Sequence, residues 1–181
     1  MVTSDVIAVP RLTCDKGRNF YNCCLRDRII CHRVRNMATI RHMIPIDSSP
    51  EQIFPLVSSG RGFSRWWAAD VTEDVPRNIV SLGFFNRATV YNLQPLRIVA
   101  PTLAEWKCQS GEEWNGTVLL FDLMSQKEGR TLLRFSHMDW RAETDYFVAC
   151  TTTWGELMFR LKAVAEGKPP GPLFSAAGMA Y

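Results

Sequence analysis

Apolar residues recur at every second position through the middle of the chain and at every third or fourth position near its end. "TIRHMIPID" sets Ile40, His42, Ile44 and Ile46 on one face and predicts a first strand that ends at Asp47. "SSPEQIFPLVSS" then predicts a helix with Ser49 as N-cap, Pro50 at its first position and Gln52 placed to complete a capping box. Ile53, Phe54, Leu56 and Val57 form its buried stripe, and Pro55, which lacks an amide hydrogen, should shorten or kink it. A second short helix, "RGFSRWWAAD", is expected after Gly60.

From Ile79 to Trp140 the period is two. "IVSLGFF", "ATVYNLQ", "TLAEWKC", "GTVLLFDLM" and "RTLLRFSHM" are separated by turn residues at Asn86 and Arg87, Pro95, Gly111 and Gly129, which predicts a meander of antiparallel strands. Strand alternation puts Trp106 on a face with Ala104 and Cys108, and Phe121 with Leu119 and Leu123. It also puts Leu133, Phe135, His137 and Asp139 on one side and Trp140 on the other. A long helix is expected over Asp145 to Glu166. Phe147, Cys150, Thr151, Trp154, Leu157, Met158, Leu161 and Val164 would face the core, with Glu156, Arg160 and Lys162 outward. Gly167 and Pro169-Pro170 stop this helix, and the tail "GPLFSAAGMAY", 171–181, is expected to lie loosely on the surface.

At 181 residues the chain is about one domain, long enough to bury roughly 70% of the surface its unfolded form exposes. The net charge of +3 is unevenly placed: the first 36 residues hold seven Lys/Arg against three Asp/Glu, and the remainder fourteen against fifteen. A near-neutral body lacks the basic footprint of a nucleic-acid binder. No apolar run approaches the length of a membrane span, and no secretory leader pattern is present. Cys108 and Cys150 read as buried small hydrophobes in a reducing, cytoplasmic setting.

The first 36 residues show neither period and are expected to be a disordered extension before a domain that starts at Met37. Cys14, Cys23, Cys24, Cys31 and His32 lack the paired, fixed spacing of a zinc module, so no metal is expected there. The body contains no nucleophile motif, phosphate-cradling glycine loop or carboxylate pair, so neither a catalytic residue nor a cofactor is assigned. His137 admits three readings. Paired with Asp139 on one strand face it would be an oriented general base; it could touch a ligand; or it could sit hydrogen-bonded at the edge of a cavity, the reading adopted.

"IDSSPEQIFPLV", the early "WW", "EWKC" followed by "WNGTVLLFDL", "GRTLLRFSHMDW" and "CTTTWGELMFRLKAVAEGKPP" together resemble the START-like SRPBCC superfamily. The branch is that of the C-terminal domain of the heat-shock-ATPase activator and the polyketide-cyclase-like proteins, and the match spans about Ala38 to Pro170. The resemblance implies an α+β helix-grip fold: a curved antiparallel sheet wrapped around the long C-terminal helix, with two short helices after the first strand, over residues 37–170. It implies a cavity between sheet and helix, lined by Trp106, Phe121, Phe135, His137, Phe147, Trp154 and Met158, with Trp67 near the mouth. The expected function is binding of a small hydrophobic molecule. A cyclase-like or lyase-like enzyme using the same cavity and an activator-like protein-interaction domain are the alternatives, because this fold hosts all three.

Overall fold

Alternating strands that bury one face need a helix to cover it, and here one long helix does so. The computed structural model describes residues 37–180; the expectations of disorder and of no zinc site placed on residues 1–36 lie outside the described residues. The elements run β1 (Ala38–Ile46), α1 (Pro50–Val57), α2 (Gly60–Phe63), β2 (Asp70–Asp74), β3 (Ile79–Phe84), β4 (Thr89–Val99), β5 (Leu103–Cys108), β6 (Val118–Ser125), β7 (Thr131–Trp140) and α3 (Asp145–Ala165). A two-residue pair, β8 (Phe174–Ser175) and β9 (Gly178–Met179), follows. The first seven strands form one sheet in the order β1-β7-β6-β5-β4-β3-β2, every neighbouring pair antiparallel. This is the α+β helix-grip fold, with α1 and α2 inserted after β1.

α1 opens at Ser49 with Pro50 in its first turn, but the expected capping box does not form. The Ser48 hydroxyl instead donates to Gln52 Oε1 at 2.7 Å, which turns that amide away from the helix start. α1 is short, with Pro55 inside its last turn, and its orphaned C-terminal carbonyls are met by indoles. Trp66 Nε1–H donates to the Leu56 carbonyl and Trp106 Nε1–H to the Val57 carbonyl, both at 2.9 Å. Gly62 lets α2 approach α1: a Cβ there would stand 2.2 Å from the Pro55 carbonyl oxygen.

Five departures from the sequence pattern have physical causes. β2 is a strand that alternation misses, because "DVTED" is a polar edge strand with little apolar signal. β4 does not stop at Pro95 but runs on to Val99, the proline being accommodated where Leu96 bulges between the Pro95–Trp106 and Arg97–Glu105 pairs. In β7 the partners Ala38–Trp140 and Ile40–His137 leave an extra residue on the β7 side, and Asp139 takes a left-handed φ of 67°. That bulge turns Asp139 out to solvent and brings Trp140 into the core, reversing the expectation for both. Arg160, expected outward, is buried. The segment after α3 covers it and is not loose: Leu173 is fully buried, and Phe174 bridges in parallel to Ala68.

Candidate functional site

The inner face of the sheet carries most of the residues expected to line a central cavity, and their side chains are buried against one another. Trp106, Phe121, Phe135 and Met158 are buried in one continuous core, and His137, also fully buried, lies against its Trp154. Phe135 lies against Trp154 with ring centroids 4.2 Å apart, and Phe121 lies 5.1 Å from Phe135. Phe147 packs edge-on against Trp140 at the start of α3.

His137 sits within this core with every polar atom used. Trp154 Nε1–H donates to His137 Nδ1 at 3.1 Å, which leaves the proton on Nε2, and that N–H donates to Thr117 Oγ1 at 2.8 Å. The Thr117 hydroxyl in turn donates to the Trp114 carbonyl at 2.6 Å. Burial pushes the imidazole pKa down to about 3, so the ring is neutral. Its lone pair is already engaged and Asp139 points away, so the oriented general base read from strand alternation is not assembled.

An apolar open space lies to one side, where the β3–β4 end of the sheet meets the first half of α3. It is a half-open groove of about 270 Å³. Trp67, Trp114 and Trp154 form its floor. Phe84, Phe85 and Tyr91 come from the β3–β4 hairpin, and Tyr146, Cys150, Thr153 and Leu157 from α3. Phe174 and Met179, from the β8–β9 pair, close the remaining side. No Asp, Glu, Lys, Arg or His lines it.

Of the residues singled out in the sequence, Trp67 and Trp154 line this groove; Trp106, Phe121, Phe135, His137, Phe147 and Met158 do not. The aromatic walls are ordered against one another. Tyr91 stacks on Trp114 at 4.2 Å with an 11° interplanar angle, and Trp67 meets Trp154 at 4.8 Å. At the β3–β4 turn, Phe85, Asn86 and Arg87 all adopt left-handed φ values of 52–64°. Only Asn is at ease in that region, so the turn holds Phe85 at the groove at a conformational cost.

The polar content of the groove is hydroxyl and thiol. The Tyr91 and Tyr146 hydroxyls are hydrogen-bonded to each other. Burial raises the pKa of both phenols, and for Tyr146 the bond to Tyr91 adds to the rise. Both therefore keep their protons, and the pair holds two O–H groups of which one serves their mutual bond. Burial also pushes the Cys150 thiol up, which makes it a poor nucleophile. Among the described residues, no three His, Cys, Asp or Glu side chains gather as a metal site, and no helix is long and apolar enough to cross a membrane. The groove residues that sequence reading missed, Tyr91, Tyr146, Phe84, Phe85, Phe174 and Met179, come from three distant segments that only the tertiary fold brings together.

No family model matches the chain, and no curated protein matches it. Solved structures do. The Aha1 dimer from Colwellia psychrerythraea is 25% identical over 73% of this chain and 98% of that one, with a TM-score of 0.62. Protein MLL2253 from Mesorhizobium loti is 13% identical over 72% and 98%, with a TM-score of 0.61. CalU16 from Micromonospora echinospora is 16% identical over 74% and 77%, with a TM-score of 0.57. These structures share the helix-grip fold that the sequence resemblance implies, and the chain has that fold.

Proposed function

We propose that this helix-grip protein binds one small, neutral, apolar molecule in the groove between α3 and the β3–β4 hairpin. The observation that carries the reading is the composition of the space: about 270 Å³ walled mainly by aromatic rings, with hydroxyls and a thiol but no charged group. A charged ligand would lose its hydration there without a partner, whereas a flat apolar one gains ring contacts on several sides. The volume sits just below the usual range for drug-sized ligands, which favours a compact molecule. The Tyr91–Tyr146 pair offers a donor to a carbonyl or hydroxyl oxygen on such a ligand.

The test is binding of N-phenyl-1-naphthylamine, a neutral apolar dye whose fluorescence rises in apolar surroundings. One dye per chain should bind and quench tryptophan emission, and Thr153→Trp, which fills the groove from α3, should weaken binding at least tenfold. Dye binding unchanged in Thr153→Trp, or no binding to the folded wild type, would contradict the proposal.

One observation favours a second reading, a protein-interaction domain. Val148 and Phe159 are 59% and 65% exposed on α3, and their spacing of eleven residues puts them on one stripe of the helix. With the likeness to the Aha1 dimer, that apolar stripe supports a protein partner, which could bind alongside a ligand held in the groove.

A further inference from the structure

The segment after α3 is built as one wall of the groove. Its two strands pair Phe174 with Met179, and these are the two residues it presents to the groove. The hairpin is held from two directions. On one side, the Leu173 and Phe174 amides donate to the Trp66 and Trp67 carbonyls at 3.0 Å, and the Ala69 amide returns to the Phe174 carbonyl at 2.8 Å. On the other side, a single arginine reaches from α3. Arg160 Nη1 donates to the Gly171 carbonyl at 3.1 Å and Nη2 to the Ala180 carbonyl, while Nε is paired with Glu156 at 2.8 Å. One guanidinium therefore ties both ends of the hairpin to the helix.

Arg160 is 7% exposed, and the hairpin it holds is what buries it. Taking a guanidinium out of water is costly, and its hydrogen bonds offset that cost only while the hairpin is docked. Undocking returns Arg160 to water beside a Glu156 that is already part-exposed, so the latch holds position without holding tightly. A two-stranded hairpin has little stability of its own, and few backbone bonds join this one to the body. It is thus the groove wall that opens at least cost, ahead of the seven-stranded sheet or α3. Gly171 and Gly178 carry φ values of 82° and 109°, a backbone freedom suited to a hinge and a tight turn. In the docked position Phe174 closes on Phe84 edge-to-face at 4.8 Å and on Phe85 at 6.0 Å.

Resting on the reading that the groove holds an apolar ligand, we propose that the 171–180 hairpin is its gate and Arg160 the latch: the hairpin swings away to admit the ligand and closes over it through Phe174 and Met179. Native-state hydrogen exchange with N-phenyl-1-naphthylamine tests this on the full chain. The dye should slow exchange of the Leu173, Phe174 and Ala180 amides at least tenfold, with much less change at amides of β6 and β7. In dye-free Arg160→Met the same three amides should exchange at least tenfold faster than in wild type, and dye association and dissociation should both quicken. Dye that binds the wild type without slowing those amides overturns the gate and leaves the groove reading in place. No dye binding to the wild type overturns both. The wild-type exchange measurement decides the matter even where Arg160→Met does not fold.

Discussion

His137 shows how far a single side chain can be read in one dimension. Its inward direction follows from alternation with Leu133 and Phe135, but its partners do not: Thr117 is twenty residues away in sequence and Trp154 seventeen. Nor does alternation show that the next inward residue is Trp140, because the left-handed Asp139 breaks the period. The buried imidazole has a consequence for acid stability. Its pKa falls to about 3 in the fold from an ordinary value of about 6.5, so between those limits the unfolded chain takes up a proton that the folded one refuses. Its stabilising contribution is complete above about pH 6.5 and is lost as pH falls toward 3, at about 1.4 kcal/mol per pH unit. Urea unfolding at pH 6.5, 5.5 and 4.5 should show this slope shallower by about one proton in His137→Gln. His42, also lowered by burial, is present in both proteins and cancels. Equal slopes would mean that His137 is protonated in the fold.

At the scale of elements, legibility tracks burial. β1, β3, β5, β6 and β7 have one buried face and announce themselves by alternation, and α3 by its three-and-four spacing. β2 has almost no buried residue, and its identity is decided by pairing with β3, which a local pattern does not encode. The β8–β9 hairpin is similar: "LFSAAGMA" has no strand period, yet it is fixed by the backbone of Trp66–Ala69 and by Arg160. The helix pair α1–α2 depends on a contact that only glycine permits. Gly62→Ala places a methyl 2.2 Å from the Pro55 carbonyl oxygen and 2.7 Å from Leu56 backbone atoms, none of which can yield as a flexible side chain would. The variant should lose about 1–3 kcal/mol of stability, read as a lower urea midpoint at unchanged slope. A midpoint equal to wild type would mean that α1 and α2 do not approach this closely.

For the molecule as a whole, the resemblance in the sequence carried the architecture, and the structural neighbours share it at 13–25% identity. What it did not carry is the apolar groove beside α3. Trp106, Phe121, Phe135 and Met158 are buried in the core between sheet and helix, and an apolar groove opens toward the β3–β4 hairpin, where Tyr91, Tyr146 and the 171–180 segment meet. Two of the residues singled out by resemblance, Trp67 and Trp154, reach both regions, because their rings separate the packed centre from the groove. The account therefore makes a positional claim, and the measurement that tests it most directly is intermolecular NOE spectroscopy of the protein with bound N-phenyl-1-naphthylamine. It predicts contacts from the dye to the Met179 methyl, the Leu157 methyls and the Phe174 and Tyr146 rings. Contacts confined to Met158, Phe121 and Phe135 would show that the ligand enters the centre of the core instead, and would contradict it.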